Sequence, residues 1–143
     1  MLAARTKELV EYVSLTDKAL DDSMDVGQYM RTFDRVHMPV REGYTPSVFR
    51  LKRLSRAHYM RLVASKPDEM PIAMEAYPIV AYGLKGVSGY RGLSGSELVL
   101  RFKNQGALDE QVAPQCLDEI AADLAIELAF TIKQMSRIDP LAE

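Results

Sequence analysis

The chain has 143 residues, 48% hydrophobic and 27% charged, with a formal net charge of −2. Those figures suit a single globular domain spanning 1–143 and exclude collagen-like and disordered chains. A lone cysteine, Cys116, excludes a disulfide framework or a cysteine zinc cluster. The small net charge hides a polarised chain: residues 1–30 carry −3, residues 31–66 carry nine basic against two acidic groups, and residues 67–143 carry −6. The basic middle either meets nucleic acid or an acidic partner, or packs against the acidic ends of its own chain or of a neighbouring copy. Head-to-tail contact between copies would use the same polarity.

Arg5, Lys7, Glu8 and Glu11 interrupt the N-terminus, so no secretory signal is expected there. No run reaches the ~18–20 apolar residues of a membrane span, and no membrane partner is expected. Leu2, Leu9, Val10 and Val13 suit a helical stripe, whereas Leu9–Leu15 equally suits a strand with Val10, Tyr12 and Ser14 on one side. Asp21-Asp22-Ser23 reads as a turn or N-cap before a short helix through Val26, Tyr29, Met30 and Phe33. Pro39 ends that helical stretch, and Glu42-Gly43 and Thr45-Pro46 are turn chemistry.

Val48–Leu54 is the clearest strand, with Phe49 and Leu51 facing one way and Arg50 and Lys52 the other. Ser55 is placed to cap a helix from Arg56 to about Ser65, with Tyr59, Met60, Leu62 and Val63 on its apolar face. Lys66-Pro67-Asp68 stops it. A further helix spans Ile72 to Val87, with Met74, Tyr77, Val80, Ala81 and Leu84 inward, and Pro78 either kinks it or sits within a first turn. Glu97–Phe102 reads as a second strand. The last element is a 24-residue helix from Pro114 to Arg137, ended by Asp139-Pro140. Leu117, Ile120, Leu124, Leu128 and Met135 form its core stripe, and acidic residues load its start. Ile126 and Phe130 form a second apolar strip, which either crosses the core or meets a partner.

The fold expected is α+β: a small antiparallel or mixed sheet of Val48–Leu54, Glu97–Phe102 and Leu9–Leu15. The C-terminal helix and the Ile72–Val87 helix pack on it. Met30, Met60, Met74 and Met135 fall at expected core positions.

Gly86, Gly89, Gly92 and Gly95 recur at every third residue. They fit neither a dinucleotide fingerprint, a P-loop nor a serine elbow, and read as a flexible loop. Gly89-Tyr90-Arg91-Gly92 matches an RNA-clamping G-x-x-G, but that loop needs a helix on each side and a strand is expected after it. His37 and His58 lack metal-ligand spacing, so no metal or cofactor is expected. Cys116 reads as a small half-buried helix residue, and no acidic pair stands out for acid–base work. The chain reads as a non-enzyme; a small enzyme using Cys116 would need a depressed thiol pKa.

Three segments recur in a familiar order: Phe49-Arg50-Leu51-Lys52-Arg53-Leu54-Ser55, a helix end at Gly83-Leu84-Lys85-Gly86, and a closing Ile132…Ser136-Arg137-Ile138. This order resembles small proteins of the head and tail morphogenesis region of tailed bacteriophages. The resemblance spans residues 9–138 through short motifs, none of them catalytic, and tips residues 9–15 towards extended structure. Leu93–Leu100 departs from the usual spacing. The resemblance implies a structural or tail-assembly protein of the virion. It would act through contacts with other phage structural proteins and with its own copies, in the virion or the host cytoplasm. A tail assembly chaperone absent from the virion is the nearest alternative. The partner surface expected is Ile126 with Phe130, joined by Arg50, Lys52 and Arg53. A nucleic-acid module would use the basic segment 50–66 through Arg50, Lys52, Arg53, Arg56 and Arg61.

Overall fold

The computed structural model describes residues 9–65 and 67–138. Leu2 of the N-terminal stripe, the charges at 5–8, Lys66 and the Asp139-Pro140 stop lie outside the described residues. The fold is α+β. Strand β1 (Leu9–Tyr12), β2 (Val48–Lys52) and β3 (Leu84–Ser88) form an antiparallel sheet in the order β1-β2-β3. A two-stranded hairpin, β4 (Phe102–Lys103) with β5 (Gln111–Val112), stands apart from it.

Strand alternation is obeyed where one face must be dry. Val10, Tyr12, Phe49 and Leu51 are buried under the helices, while Leu9 and Lys52 are exposed. Arg50 sits opposite Glu11 on β1 and Gly86 on β3. Its side chain lies over Gly86, where an added Cβ would come within 3.1 Å of the Arg50 side chain, and it reaches Ser88 Oγ at 3.2 Å. Asp17 ties the two ends of the β1–β2 connection together, accepting from Ala19 N and Ser47 N, both at 2.9 Å.

Helix α1 (Val26–Thr32) is capped by Asp25, whose carboxylate accepts from Gln28 N. Asp21 instead closes a turn onto Ser23 N. The helix α2 (Arg56–Tyr59) begins on the Ser55 cap as the sequence suggests, then widens into a π-helical turn at Met60–Ala64. Met60, at the start of that turn, is exposed instead of buried.

Helix α3 (Ile72–Gly83) is shorter than its periodicity suggests, and Leu84–Val87 belongs to β3. The inward face is Ala76, Ile79, Val80 and Gly83; Met74 and Tyr77 are exposed. Glu75 is the only charged side chain in its first ten residues, so periodicity alone could not choose a face. Packing chose it. Gly83 lies against Ile132, where a Cβ would come within 2.5–2.9 Å of three side-chain carbons.

The expected 24-residue C-terminal helix is two elements, α4 (Pro114–Leu117) and α5 (Ala122–Ile138). Tertiary hydrogen bonds cause the break. The carbonyl of Glu119 accepts from Leu93 N at 3.0 Å, its carboxylate accepts from Ser94 N at 2.9 Å, and Ala121 N donates to Tyr90 Oη at 3.3 Å. Helical bonding resumes with Ala125 N on Ala121 O. Leu117, Ile120, Leu128 and Met135 are buried as expected, and Leu124 is half-buried.

The expected strand Glu97–Phe102 does not form. Only Phe102 is in a strand, and it pairs with β5 and not with the main sheet. Arg91 bridges Glu97, Leu98 N donates to Tyr90 O, and Ala113 N donates to Arg101 O, so neighbouring loops satisfy this segment's backbone. Gly86 is likewise a strand residue of β3, not part of a loop. Gly89 and Gly95 take positive φ in turns, and Gly92 packs on Glu119. No helix among the described residues is long and apolar enough to cross a membrane.

Candidate partner-binding surfaces

Two concave surfaces flank α3. The first is a groove of about 320 Å³ between α3 and α5. Ile72 from α3 and Ile126 with Phe130 from α5 supply its apolar wall. Ile126 and Phe130 are four residues apart and share one side of α5, as the sequence suggests. Phe130 is 55% exposed and Ile72 62%, so the groove is open to solvent. Lys133 donates to the buried Glu75 across the helix pair at 2.9 Å. Glu127 lines the groove but points its carboxylate at the end of β1. There it accepts from Tyr12 Oη, from Ser14 Oγ at 2.7 Å and from Leu15 N at 2.9 Å.

The second surface is a cleft of about 640 Å³ at the other end of α3. Lys52 and Arg53 from the end of β2, Lys85 from β3 and Tyr82 from the last turn of α3 line it. His58 stacks on Tyr82 with ring centroids 4.0 Å apart, and the Arg61 guanidinium lies 5.6 Å from the same ring. Burial, then the charges of Arg61 and Lys85, hold His58 below its ordinary pKa, so the ring is neutral at pH 7.

The β4–β5 loop forms one rim of this cleft. Asn104 Nδ2 donates to Asp109 at 2.9 Å, and Gly106 takes a positive φ of 85°. Glu110 braces the loop from inside, accepting from Gly106 N at 2.8 Å and from Lys85 Nζ at 3.2 Å. The Gly106 amide and then the Lys85 ammonium hold the Glu110 carboxyl below the usual carboxylate range. Leu108, at the apex, is 99% exposed.

The structure therefore sorts the residues singled out in the sequence. Lys52 and Arg53 share the cleft, and Arg61 joins them through Tyr82. Arg50 lies on the sheet, and Arg56 is exposed on α2 without lining the cleft. The single surface expected from Ile126, Phe130 and the basic strand edge is two surfaces with no lining residue in common. Ile72, Tyr82, His58 and Leu108 were not recognisable as surface-building residues.

Cys116 is buried; its thiol donates towards Val99 O at 3.6 Å and accepts from Arg101 N at 3.3 Å. No group of three or more His, Cys, Asp or Glu residues able to hold a metal is found among the described residues. No protein-family model, curated protein or solved structure matches this chain.

Proposed function

We propose that the chain is a non-enzymatic structural or assembly protein of a tailed bacteriophage particle, acting through protein–protein contacts. The observation that carries this reading is the open apolar groove of Ile72, Ile126 and Phe130, set on the two helices that cover the sheet. Large exposed apolar side chains gathered in one concavity favour a macromolecular partner over bulk water. The order of the Phe49–Ser55, Gly83–Gly86 and Ile132–Ile138 segments supplies the phage assignment.

The test is to quantify the protein by mass spectrometry in gradient-purified particles of the source phage. A fixed ratio to the portal protein is the expected result, and the ratio would distinguish ring, tube or shell. Absence from particles despite abundance in the lysate would make it an assembly chaperone instead.

A second reading, a nucleic-acid module, is favoured by one observation: Lys52, Arg53 and Arg61 frame the stacked His58–Tyr82 pair. Cations beside an aromatic platform suit single-stranded nucleic acid. That reading expects a labelled oligonucleotide to bind at low salt and to be released steeply as salt rises. No binding at low salt removes it.

A further inference from the structure

We propose that copies of this chain join head to tail, with Leu108 of one protomer seated in the Ile72–Ile126–Phe130 groove of the next. The proposal rests on the reading of the chain as an assembly protein and names its partner. Among the described residues Leu108 is the most exposed large apolar side chain, at 99%, in a loop that Glu110 braces from both Gly106 N and Lys85. A braced loop that presents a leucine loses little conformational freedom when the leucine is buried. The groove offers an apolar wall of matching chemistry.

The charges around the two surfaces are complementary. Three carboxylates (Glu75, Asp123 and Glu127) and one ammonium (Lys133) line the groove; Glu75 is paired with Lys133 and Glu127 is turned to β1, so Asp123 is its exposed carboxylate. Around Leu108 the balance reverses, with Lys52, Arg53 and Lys85 against Glu110 and the neighbouring Asp109. Docking the loop on the groove therefore sets surroundings of net positive charge against a groove of net negative charge.

A protomer cannot satisfy its own groove. Ile72, in the first turn of α3, lines the groove; Tyr82, in its last turn, lines the cleft beside Leu108. Ten residues of helix separate them by about 15 Å. The contact joins two different surfaces, so it is heterologous and propagates to a ring or a filament, not a two-fold dimer.

The test uses the full chain and two variants, L108D and F130D, with I72D as a second groove variant should F130D fail to fold by circular dichroism. Wild type is expected to grow beyond a dimer with concentration in light scattering, and each variant alone to remain monomeric. Mixed in equal amounts, L108D keeps its groove and F130D keeps its leucine. The mixture should give a heterodimer of twice the 16.1 kDa chain mass and nothing larger. A wild type that stays monomeric or stops at the dimer overturns the proposal. So does an L108D variant that assembles like wild type, or a mixture that stays monomeric. A monomeric wild type that is nonetheless found in particles at a fixed ratio would sink this interface and leave the assembly reading standing.

Discussion

Glu127 shows how much one side chain can hold at a distance. It sits on α5, yet its carboxylate accepts hydrogen bonds from Tyr12, Ser14 and Leu15, more than 110 residues earlier. Truncation to alanine leaves those donors without their acceptor, so Glu127→Ala should cost about 3 kcal/mol in urea unfolding, and Ser14→Ala about 1 kcal/mol. A smaller loss in the first variant than in the second would contradict the shared network. Tyr29 is fully buried and donates to Glu11 O at 2.6 Å. Burial pushes its pKa up to about 12 from an ordinary 10. The folded state therefore holds the phenolic proton more tightly than the unfolded chain. That stabilisation is complete below pH 10 and is lost as pH rises from 10 towards 12, by about 3 kcal/mol across the window. Tyr12 is raised in the same direction, first by burial and then by its bond to Glu127. Unfolding followed between pH 9 and 12 should show a steep fall above pH 10 in wild type and a shallower one in Tyr29→Phe. Neither residue's role was legible in the sequence. Glu127 reads there as one more acid on an amphipathic helix, because its partners are set by the docking of α5 on β1.

Among the elements, the contact of α3 with α5 is the tightest constraint. Gly83 ends α3 where Ile132 comes close enough to exclude a methyl group. Gly83→Ala should therefore destabilise by about 1–3 kcal/mol despite alanine's better helix propensity. Ile132→Ala opens the space, so the double variant should lose less than the two single losses added together; strict additivity in thermal melts would show that the two do not compete for space. This crossing also accounts for the misread end of α3. Val80, Ala81 and Leu84 suggest that the helical period continues to Val87, but the chain has to turn at Gly83 to place Leu84 opposite Leu51. The break before α5 has the same origin, since Glu119 leaves the helix to bind Leu93 and Ser94. Local signals did identify the Ser55 cap, the alternation of Val48–Lys52 and the inward stripe of α5, because each depends on neighbours within one turn or one pleat.

At the scale of the whole molecule, the uneven charge acquires a location. The basic middle of the chain supplies Lys52 and Arg53 to the cleft, while the acidic C-terminal part supplies Asp123 and Glu127 to the groove. If copies associate through these surfaces, raising ionic strength from ~0.05 to ~0.5 M should weaken self-association by about tenfold as the Debye length shrinks. Sedimentation at the two salt concentrations measures this, and an unchanged distribution would leave the apolar contact as the sole attraction. Composition, alternation and helix periodicity were enough to determine an α+β chain with Val48–Lys52 as a strand and a C-terminal helix over the sheet, because these follow from which residues can be buried at a period of two or 3.6. The choice of β3 as the third strand, the separation of the groove from the cleft and the exposure of Leu108 were decided only by tertiary structure. Each depends on backbone partners and side-chain contacts far apart in the chain, which no local pattern encodes.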